Sequence, residues 1–308
     1  MVRTPDAAQA NEQPVPFLDD VAATRWRHQA RAESPWLHEE VARRMESRLD
    51  WITLKPQRWV SWSPVLSGLQ AHRRIAERYA GADVELMGEQ IDEAAHALRT
   101  GLVSGLWTRV RQWAAPKPAS ATSQADMLWA NMALHLHSRP VSLLSQWHAT
   151  LKVGGFVMFS CLGPDTAREL QTVYARHGWG PPLHPLTDMH DWGDMLVESG
   201  FADPVMDMER LTLTYTSAQA LLSDCRAWGR NLHLQRHAAL RGRAFRQRLI
   251  DTIEQEWPRT PDGHLSVTVE VIYGHAVKPT PRLAVSAESA VSLNDMRQML
   301  RTGRPQQG

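Results

Sequence analysis

Short apolar segments alternate with amphipathic segments along most of this chain, and this alternation restricts the fold more than any other feature. Apolar runs such as Arg58 to Trp62 (RWVSW) and Phe156 to Ser160 (FVMFS) are typical of buried strands. Intervening segments, such as Val141 to Leu151, place apolar residues at helical spacing. Strands that alternate with helices predict an α/β domain around a mostly parallel sheet.

The individual elements follow from the same periodicity. It predicts strands near 58–62, 82–87, 126–130, 156–160, 205–215 and 266–277 in one sheet, with a further candidate at 106–110. It predicts helices within 17–52 and at 70–79, 91–98, 141–151, 191–199, 217–228 and 243–257. Ser34 and Pro35 are predicted as N-cap and first-turn residue, and Gly154–Gly155 as a turn. The last two long strand patterns predict an antiparallel strand at one edge of the sheet.

Length and composition restrict the class of protein. The chain has 308 residues and a formal net charge of +1, which excludes an acidic solvating tail protein and a globally basic nucleic-acid coat protein. No apolar run approaches the roughly 18–20 residues of a membrane span, and the first residues lack a hydrophobic signal region. Two cysteines, Cys161 and Cys225, cannot build a disulfide framework. We therefore expect a cytoplasmic, monomeric protein that binds neither membranes nor nucleic acid.

Several segments carry a resemblance to a known family. Asp126 to Leu136 (DMLWANMALHL) and Leu143 to Leu162 are similar to the fourth- and fifth-strand units of class I methyltransferases. The later segments resemble the malonyl-acyl-carrier-protein O-methyltransferases of biotin synthesis. A related branch, the arginine-hydroxylating assembly factors of respiratory complex I, shares part of the MHD and GFADP patterns. The segments that carry the family resemblance are Leu162 to Leu170 (LGPDTAREL), Asp188 to Leu196 (DMHDWGDML), Gly200 to Tyr215 (GFADPVMDMERLTLTY) and Val269 to Pro279 (VEVIYGHAVKP).

The resemblance implies a fold and an activity. The fold is a Rossmann-like sheet of about seven strands, the last of them antiparallel, with a helical cap insertion at about 163–204 and 216–258. One methyltransferase-like domain would span 17–279, between a disordered arm at 1–16 and a disordered tail at 280–308. The activity is transfer of a methyl group from S-adenosylmethionine to the free carboxylate of a malonyl thioester in early biotin synthesis. An ionised carboxylate needs no general base, so no catalytic residue is assigned.

The segment expected to bind the cofactor departs from the family pattern. The fold expects an acidic residue after its first strand and then a glycine-rich turn, because a Cβ there would collide with the cofactor. Ser61 lies near the position of the expected acidic residue, and Ser63, Pro64 and Val65 replace the turn glycines. Residues 62–67 are therefore expected to crowd the space of the methionine moiety. Two alternatives stay open: an active enzyme, and a non-catalytic relative that has lost S-adenosylmethionine and binds a carrier protein or another partner.

Four residues are the candidates for cofactor contact: Ser63, Gly68, Glu89 and Asn131. The resemblance implies an acidic residue that ends the second strand and accepts hydrogen bonds from the ribose hydroxyls, and Glu89 lies one position from that place. Glu85 competes for that role, and a solvated loop carboxylate is the ordinary alternative. Asn131 follows the strand at 126–130 and is a candidate for the amino-acid end of the cofactor, or for capping a turn.

An arginine-rich segment is the strongest charge feature. Arg226 to Arg248 contains seven arginines and no Asp or Glu. Guanidinium groups bind phosphate and carboxylate in bidentate pairs, so the segment is predicted to dock an acidic acyl carrier protein, with a solvated helical face as the alternative. The partner-binding candidates are Arg226 with Arg230, and Arg241 with Arg248, each pair on one helix face.

Histidines and acidic residues give no metal prediction. His233 and His237 would share a helix face, but no third ligand stands at a recognisable spacing. Asp188 or Asp191 is predicted to cap a helix beside His190. Cys161 is predicted to be a buried structural thiol.

Overall fold

Six strands form one sheet in the part of the chain that the computed structural model describes, which is residues 15–29, 31, 33–100, 124–239 and 241–281 without the side chains of 99 and 100. The predicted α/β fold is confirmed, and every strand predicted for this one sheet is present in it. The strands are β1 (Arg58–Trp62), β2 (Asp83–Met87), β3 (Ala125–Ala130), β4 (Leu151–Leu162), β5 (Ala202–Tyr215) and β6 (Leu265–Val277). Their order across the sheet is β2-β1-β3-β4-β6-β5.

Helices lie between the strands, as the alternation predicts. They include α7, which the periodicity did not reveal. The helices are α1 (Asp20–Arg27), α2 (Trp36–Ser47), α3 (Pro64–Ser67), α4 (Leu69–Arg78), α5 (Ile91–Thr100), α6 (Pro140–Thr150), α7 (Arg168–Arg176), α8 (Met189–Glu198), α9 (Ala218–Trp228) and α10 (Arg243–Glu256), with 3-10 turns at Arg48–Trp51 and Leu134–Leu136. Among the described helices, none is both long and apolar enough to cross a membrane.

The last strand runs against its neighbours, as the resemblance implies. β1 pairs in parallel with β2 and β3, and β3 in parallel with β4. β6 is antiparallel to both β4 and β5, so it lies one strand inside the edge. The prediction of an antiparallel strand at one edge is confirmed, since β5 is the edge strand and pairs antiparallel with β6. Nearly every residue of β6 is buried, which suits an inner strand, whereas most residues of β5 stay at least partly exposed, with Leu211 and Tyr215 buried.

Alternate residues of each strand supply two hydrophobic clusters, one on each face of the sheet. Trp59 and Met127 join one cluster with residues of α2, α4, α7, α9 and α10. Val60 and Leu128 join the other with residues of α6 and α8. Helices cover both faces of the sheet, so the carboxyl ends of the parallel strands are the part that the helices leave open. We call this row of strand ends the carboxyl edge.

The N-terminal helix prediction over 17–52 is wrong in its continuity. α1 ends at Arg27 and α2 begins at Trp36, with Pro35 in the cap position. Ser34 caps a different helix, since its Oγ accepts from Leu69 N at 2.8 Å and donates to Val65 O at 2.7 Å. Apolar spacing cannot reveal such a cap, because the partner lies 35 positions away.

The predicted turn at Gly154–Gly155 is also wrong, because both glycines lie inside β4. The pairing of β3 with β4 shifts register between Ala125 and Met127, so the irregularity is a bulge in a continuous strand. Val15 N donates to Ser138 O at 2.7 Å, so Val15, within the predicted arm, contacts the domain. The candidate strand at 106–110, and residues 1–14 and 282–308 of the predicted arm and tail, lie outside the described residues.

Candidate active site

Unusual backbone conformations gather where β1, β2 and β3 end. Ser63 follows β1 with φ of 45°, Gln90 lies beyond β2 with φ of 57°, and Met132 lies beyond β3 with φ of 53°. Side chains disfavour this left-handed region by roughly 1–2 kcal/mol per residue. Such residues persist where surrounding contacts fix them, and they concentrate at functional sites. An open α/β sheet binds its ligands at this edge, so we treat it as the candidate active site.

Two of the predicted cofactor residues, Ser63 and Glu89, contact each other here. Ser63 Oγ donates to Glu89 Oε2 at 2.5 Å, and Glu89 N donates to Ser63 Oγ at 3.1 Å. Ser63 N also donates to Met87 O at 2.7 Å, which joins the ends of β1 and β2. A Cβ on Gly88 would lie 2.3 Å from Ser63 Oγ, so this close approach requires glycine.

Arg27 of α1 completes this group. Its Nε donates to Glu89 Oε1 at 2.8 Å, and the two side chains are 10% and 12% exposed. The guanidinium also donates to Leu136 O at 2.6 Å and Thr24 Oγ1 at 3.2 Å. Burial raises the pKa of Glu89, but the hydrogen bond from Ser63 and the charge of Arg27 outweigh it and hold that pKa below its usual value. Glu89 is therefore an ionised, nearly buried carboxylate. Sequence reasoning missed Arg27, which is 62 positions from Glu89.

Asn131 lies at this edge too, but its amide already has partners. Nδ2 donates to His38 O at 2.8 Å and to Ser67 O at 2.5 Å, and Oδ1 accepts from Ser160 Oγ at 2.7 Å. Both N–H groups are thus used within the protein. The side chain holds the end of β3 against α2 and α3, so the structure supports its structural alternative over contact with a ligand.

The turn after β1 is helical. Residues 62–67 are all buried, and Ser67 Oγ donates to Trp62 O at 2.7 Å and to Asn131 O at 2.8 Å. Ser61, near the place of the expected acid, contacts His72 Nδ1 through its Oγ at 2.9 Å. Gly68 separates α3 from α4 with φ of 122°, which explains a glycine at this junction without any ligand. Glu85, the competitor of Glu89, pairs with Arg58 Nη2 at 2.8 Å within the sheet.

Buried neutral histidines surround this edge. Burial lowers the pKa of His38, His72 and His137 to about 4, so all three are uncharged at neutral pH. In the described residues, no group of three His, Cys, Asp or Glu side chains is arranged to hold a metal. His233 and His237 follow α9 in a segment that is not helical, so the predicted shared helix face is wrong.

The helix cap and the buried thiol were predicted from sequence, and both are confirmed. Asp188 is the N-cap of α8, where its Oδ1 accepts from His190 N at 2.8 Å. Cys161 is fully buried in β4, and burial raises the pKa of its thiol. Neither residue belongs to the edge formed by β1, β2 and β3.

The arginine-rich segment has a different conformation from the one predicted. α9 ends at Trp228 and α10 begins at Arg243, so Arg230 and Arg241 lie outside helices and neither predicted helix-face pair exists. Arg241 lies against the Phe245 ring, with its Cζ 4.0 Å from the ring centre, and donates to Trp179 O. Arg226, Arg230 and Arg248 are exposed, without an ion pair in the described part of the chain.

Two carboxylates that follow this segment are paired with arginines outside it. Glu254 pairs with Arg259 at 2.8 Å, and Glu256 pairs with Arg176 at 2.6 Å. Arg236 alone among the segment's described arginines has a carboxylate partner, Asp19 at 2.7 Å. The surface therefore keeps a local positive charge although the whole chain carries only +1.

Sequence relatives cover most of the chain. Malonyl-acyl-carrier-protein O-methyltransferase of Gallionella capsiferriformans is 37% identical over 282 residues, which cover 87% of this chain and 94% of that protein. The enzyme of the same name from Laribacter hongkongensis is 37% identical, covering 80% of this chain and 84% of its own. No protein-family model matches. A solved structure of a Bacillus halodurans protein assigned as a methyltransferase covers 78% of this chain and all (100%) of its own, with 14% identity and a TM-score of 0.49.

Proposed function

The chain belongs to the malonyl-acyl-carrier-protein O-methyltransferase family, and we propose that it transfers a methyl group from S-adenosylmethionine to the free carboxylate of a malonyl thioester on an acyl carrier protein. The observation that carries this proposal is the 37% identity to an enzyme of that name across 87% of the chain. The product, a half-ester with its charge masked, would enter early biotin synthesis. We place the reaction in the cytoplasm and assign it to the monomer.

The residues at the carboxyl edge fit the ribose end of S-adenosylmethionine, which supplies an activated methyl group when bound. Glu89 is ionised, and each of its oxygens keeps a lone pair beyond those that bind Arg27 and Ser63. We assign Glu89 to the ribose hydroxyls and Ser63 to holding Glu89 in place. The methionine end of the cofactor would meet the helical turn at 62–67, whose side chains are buried. Gly68 ends that turn.

The chain has no need of a proton-accepting residue for this reaction. A malonyl carboxylate is already ionised near neutral pH, so the protein must orient it and exclude water. We assign the cap function to the segments at about 163–204 and 216–258, which include α7 to α10. These helices pack on the sheet from both sides, through residues such as Val173 and Trp192.

We assign carrier docking to three exposed arginines of the arginine-rich segment. Arg226, Arg230 and Arg248 present unpaired guanidinium groups, whereas Arg241 supports the surface from within by packing on Phe245. Attraction to an acidic carrier protein would raise the association rate and weaken with salt, because the Debye length is about 10 Å at 0.1 M.

A methyl-transfer assay tests the activity. Purified protein is incubated with malonyl-acyl carrier protein and methyl-labelled S-adenosylmethionine, and the carrier is analysed by mass spectrometry. Acetyl-acyl carrier protein, which lacks the free carboxylate, is the substrate control. We expect label on the malonyl carrier only. No transfer and no cofactor binding would instead support the non-catalytic alternative.

A salt titration tests the docking assignment. Binding of labelled malonyl-acyl carrier protein is measured at low and high salt for wild type and for Arg226→Glu with Arg248→Glu. Reversal of two contacting charges is expected to weaken binding by about 1–3 kcal/mol at low salt, the scale of charge-assisted hydrogen bonds. The control, Arg259→Glu, changes an arginine that already pairs with Glu254. Indistinguishable curves for all three proteins would leave the surface without a docking role.

A further inference from the structure

Two guanidinium groups lie over one indole ring at the start of the domain. The Cζ of Arg31 is 4.0 Å from the Trp26 ring centre, and that of Arg230 is 5.3 Å from it. Each contact is a cation–π interaction, but two cations at one ring repel each other. The Trp26 ring therefore marks a cationic part of the surface.

A surface cavity of about 380 Å³ opens beside this ring, and it is lined by Arg25, Trp26 and Arg230 among others. No carboxylate of the described residues lines the cavity. Its walls are α1 and the segment after α9, which backbone hydrogen bonds hold together. Asp19 N donates to Leu232 O at 2.8 Å, and Leu234 N donates to Phe17 O at 2.7 Å. The cavity is therefore preformed, and binding would require little ordering.

The positive charge around the cavity is not neutralised by the described residues. The nearest acids on α1 and before it are engaged, since Asp19 pairs with Arg236 and Asp20 accepts from Ser138. Arg25 and Arg230, the two arginines of the lining, are exposed and have no ion pair in the described residues, whereas the guanidinium of Arg31 donates to Gln29 O at 3.0 Å and to Trp26 O at 2.9 Å. Trp26 Nε1 is buried without a hydrogen-bond partner in the described residues. An anion in the cavity would relieve the repulsion of the cations.

We propose that this cavity binds the phosphodiester that joins the pantetheine arm to the carrier protein. Arginine forks match phosphate oxygens in a bidentate manner, and two of them can hold one phosphate from both sides. The next residue of α1, Arg27, bonds Glu89 at the candidate active site. An arm anchored at Trp26 can thus follow α1 to the carboxyl edge. This inference rests on the proposed function, because it assumes a pantetheine-linked substrate.

The test compares two probes that differ only in the phosphate. Binding of 4′-phosphopantetheine and of pantetheine is measured by calorimetry on the full-length protein without S-adenosylmethionine. We expect wild type to prefer the phosphorylated probe by about tenfold or more, the loss expected for at least one charge-assisted contact. Arg25→Gln with Arg230→Gln, the two arginines that line the cavity, should remove that preference. Arg243→Gln with Arg246→Gln, a pair of exposed arginines without ion pairs, is the charge-matched control and should retain it.

The outcomes separate this inference from the proposed function. Equal affinity for both probes in wild type, or an equal loss in the control, would overturn the phosphate site even if methyl transfer occurs. A phosphate preference that depends on Arg25 and Arg230 would support the site even if methyl transfer fails. Inorganic phosphate that competes as strongly as phosphopantetheine would overturn the assignment to the pantetheine arm.

Discussion

The antiparallel part of the sheet and the ends of the parallel strands are stabilised by different interactions. β5 and β6 pair along almost their whole length, from Ala202 with Val277 to Tyr215 with Leu265, and β6 is buried on both faces. The ends of β1, β2 and β3 are joined instead by polar side chains that are distant in sequence, such as Arg27, Ser63 and Glu89. A regular ladder resists local change, whereas a polar group of this kind can be re-formed around a ligand. The difference places the adaptable part of the molecule where the ligand is expected.

The largest effect is expected from breaking the buried ion pair. Arg27→Met leaves the carboxylate of Glu89 buried with one hydrogen bond from a side chain, and such losses cost about 3–5 kcal/mol. The free energy of unfolding, measured with urea at pH 7, should fall by that amount. The difference from wild type should shrink toward pH 4, because protonated Glu89 needs no cation. The control Arg43→Met removes an exposed partner of Glu40. If it lowered the free energy of unfolding as much as Arg27→Met does, the expected contrast between a buried and an exposed ion pair would be wrong.

Truncation of a buried side chain in β6 tests the stability of the antiparallel part of the sheet separately. Ile272 of β6 is fully buried, so Ile272→Ala should lower the free energy of unfolding by about 2–5 kcal/mol. Val205→Ala, at an exposed position on β5, should change it by less than about 0.5 kcal/mol. Both variants should keep the wild-type affinity for S-adenosylmethionine. A weakened affinity in folded Ile272→Ala would mean that the ladder is part of the site.

Substitution of Asn131 tests how much its amide stabilises the ends of the strands. Asn131→Ala leaves His38 O, Ser67 O and the Ser160 hydroxyl without their partner, a loss of about 1–3 kcal/mol in stability. Ser160→Ala removes one of these bonds together with the bond that Ser160 Oγ accepts from Met132 N at 3.1 Å, so it should also cost about 1–3 kcal/mol. Thermal unfolding of the two variants gives the comparison. An Asn131→Ala protein as stable as wild type would show that the amide is not structural.

A buried histidine makes the stability of the protein depend on pH. His38 has a pKa of about 4 in the folded protein because it is buried, against 6.5 when unperturbed. Its contribution to stability is complete above pH 6.5 and is lost as the pH falls toward 4, since the unfolded chain binds the proton first. His38→Asn keeps a donor for Leu66 O but does not titrate, so its stability should fall less steeply in that window. Parallel pH profiles for the two proteins would contradict the assignment.

The fold was more predictable from the sequence than the site. Strands are recognisable in a sequence as apolar runs or as an alternation of apolar and polar residues, so the boundaries of β1 and β6 were predicted to within a residue. The bulge at Gly154 and the inner place of β6 depend on pairing, which no local pattern contains. Ser34 was taken as a local helix cap, although it bonds Leu69 in another helix.

The candidate site depended on contacts across the chain. Ser63 and Glu89 were identified from the resemblance, but their direct contact and the ion pair with Arg27 became visible only in three dimensions. The arginines of the arginine-rich segment were found from composition. The helical conformation predicted for them was wrong, because the helix ends at Trp228.

Calorimetric titration with S-adenosylmethionine tests the central claim most directly, that the carboxyl edge around Glu89 binds the cofactor without a glycine-rich turn. Wild type should bind, and Glu89→Gln should bind at least about tenfold more weakly, as expected for loss of a charge-assisted hydrogen bond to ribose. Glu85→Gln, which changes the neighbouring acid paired with Arg58, should bind as wild type does. Urea unfolding confirms that each variant is folded. A folded wild type that gives no binding, or equal affinities for wild type and Glu89→Gln, would contradict the claim.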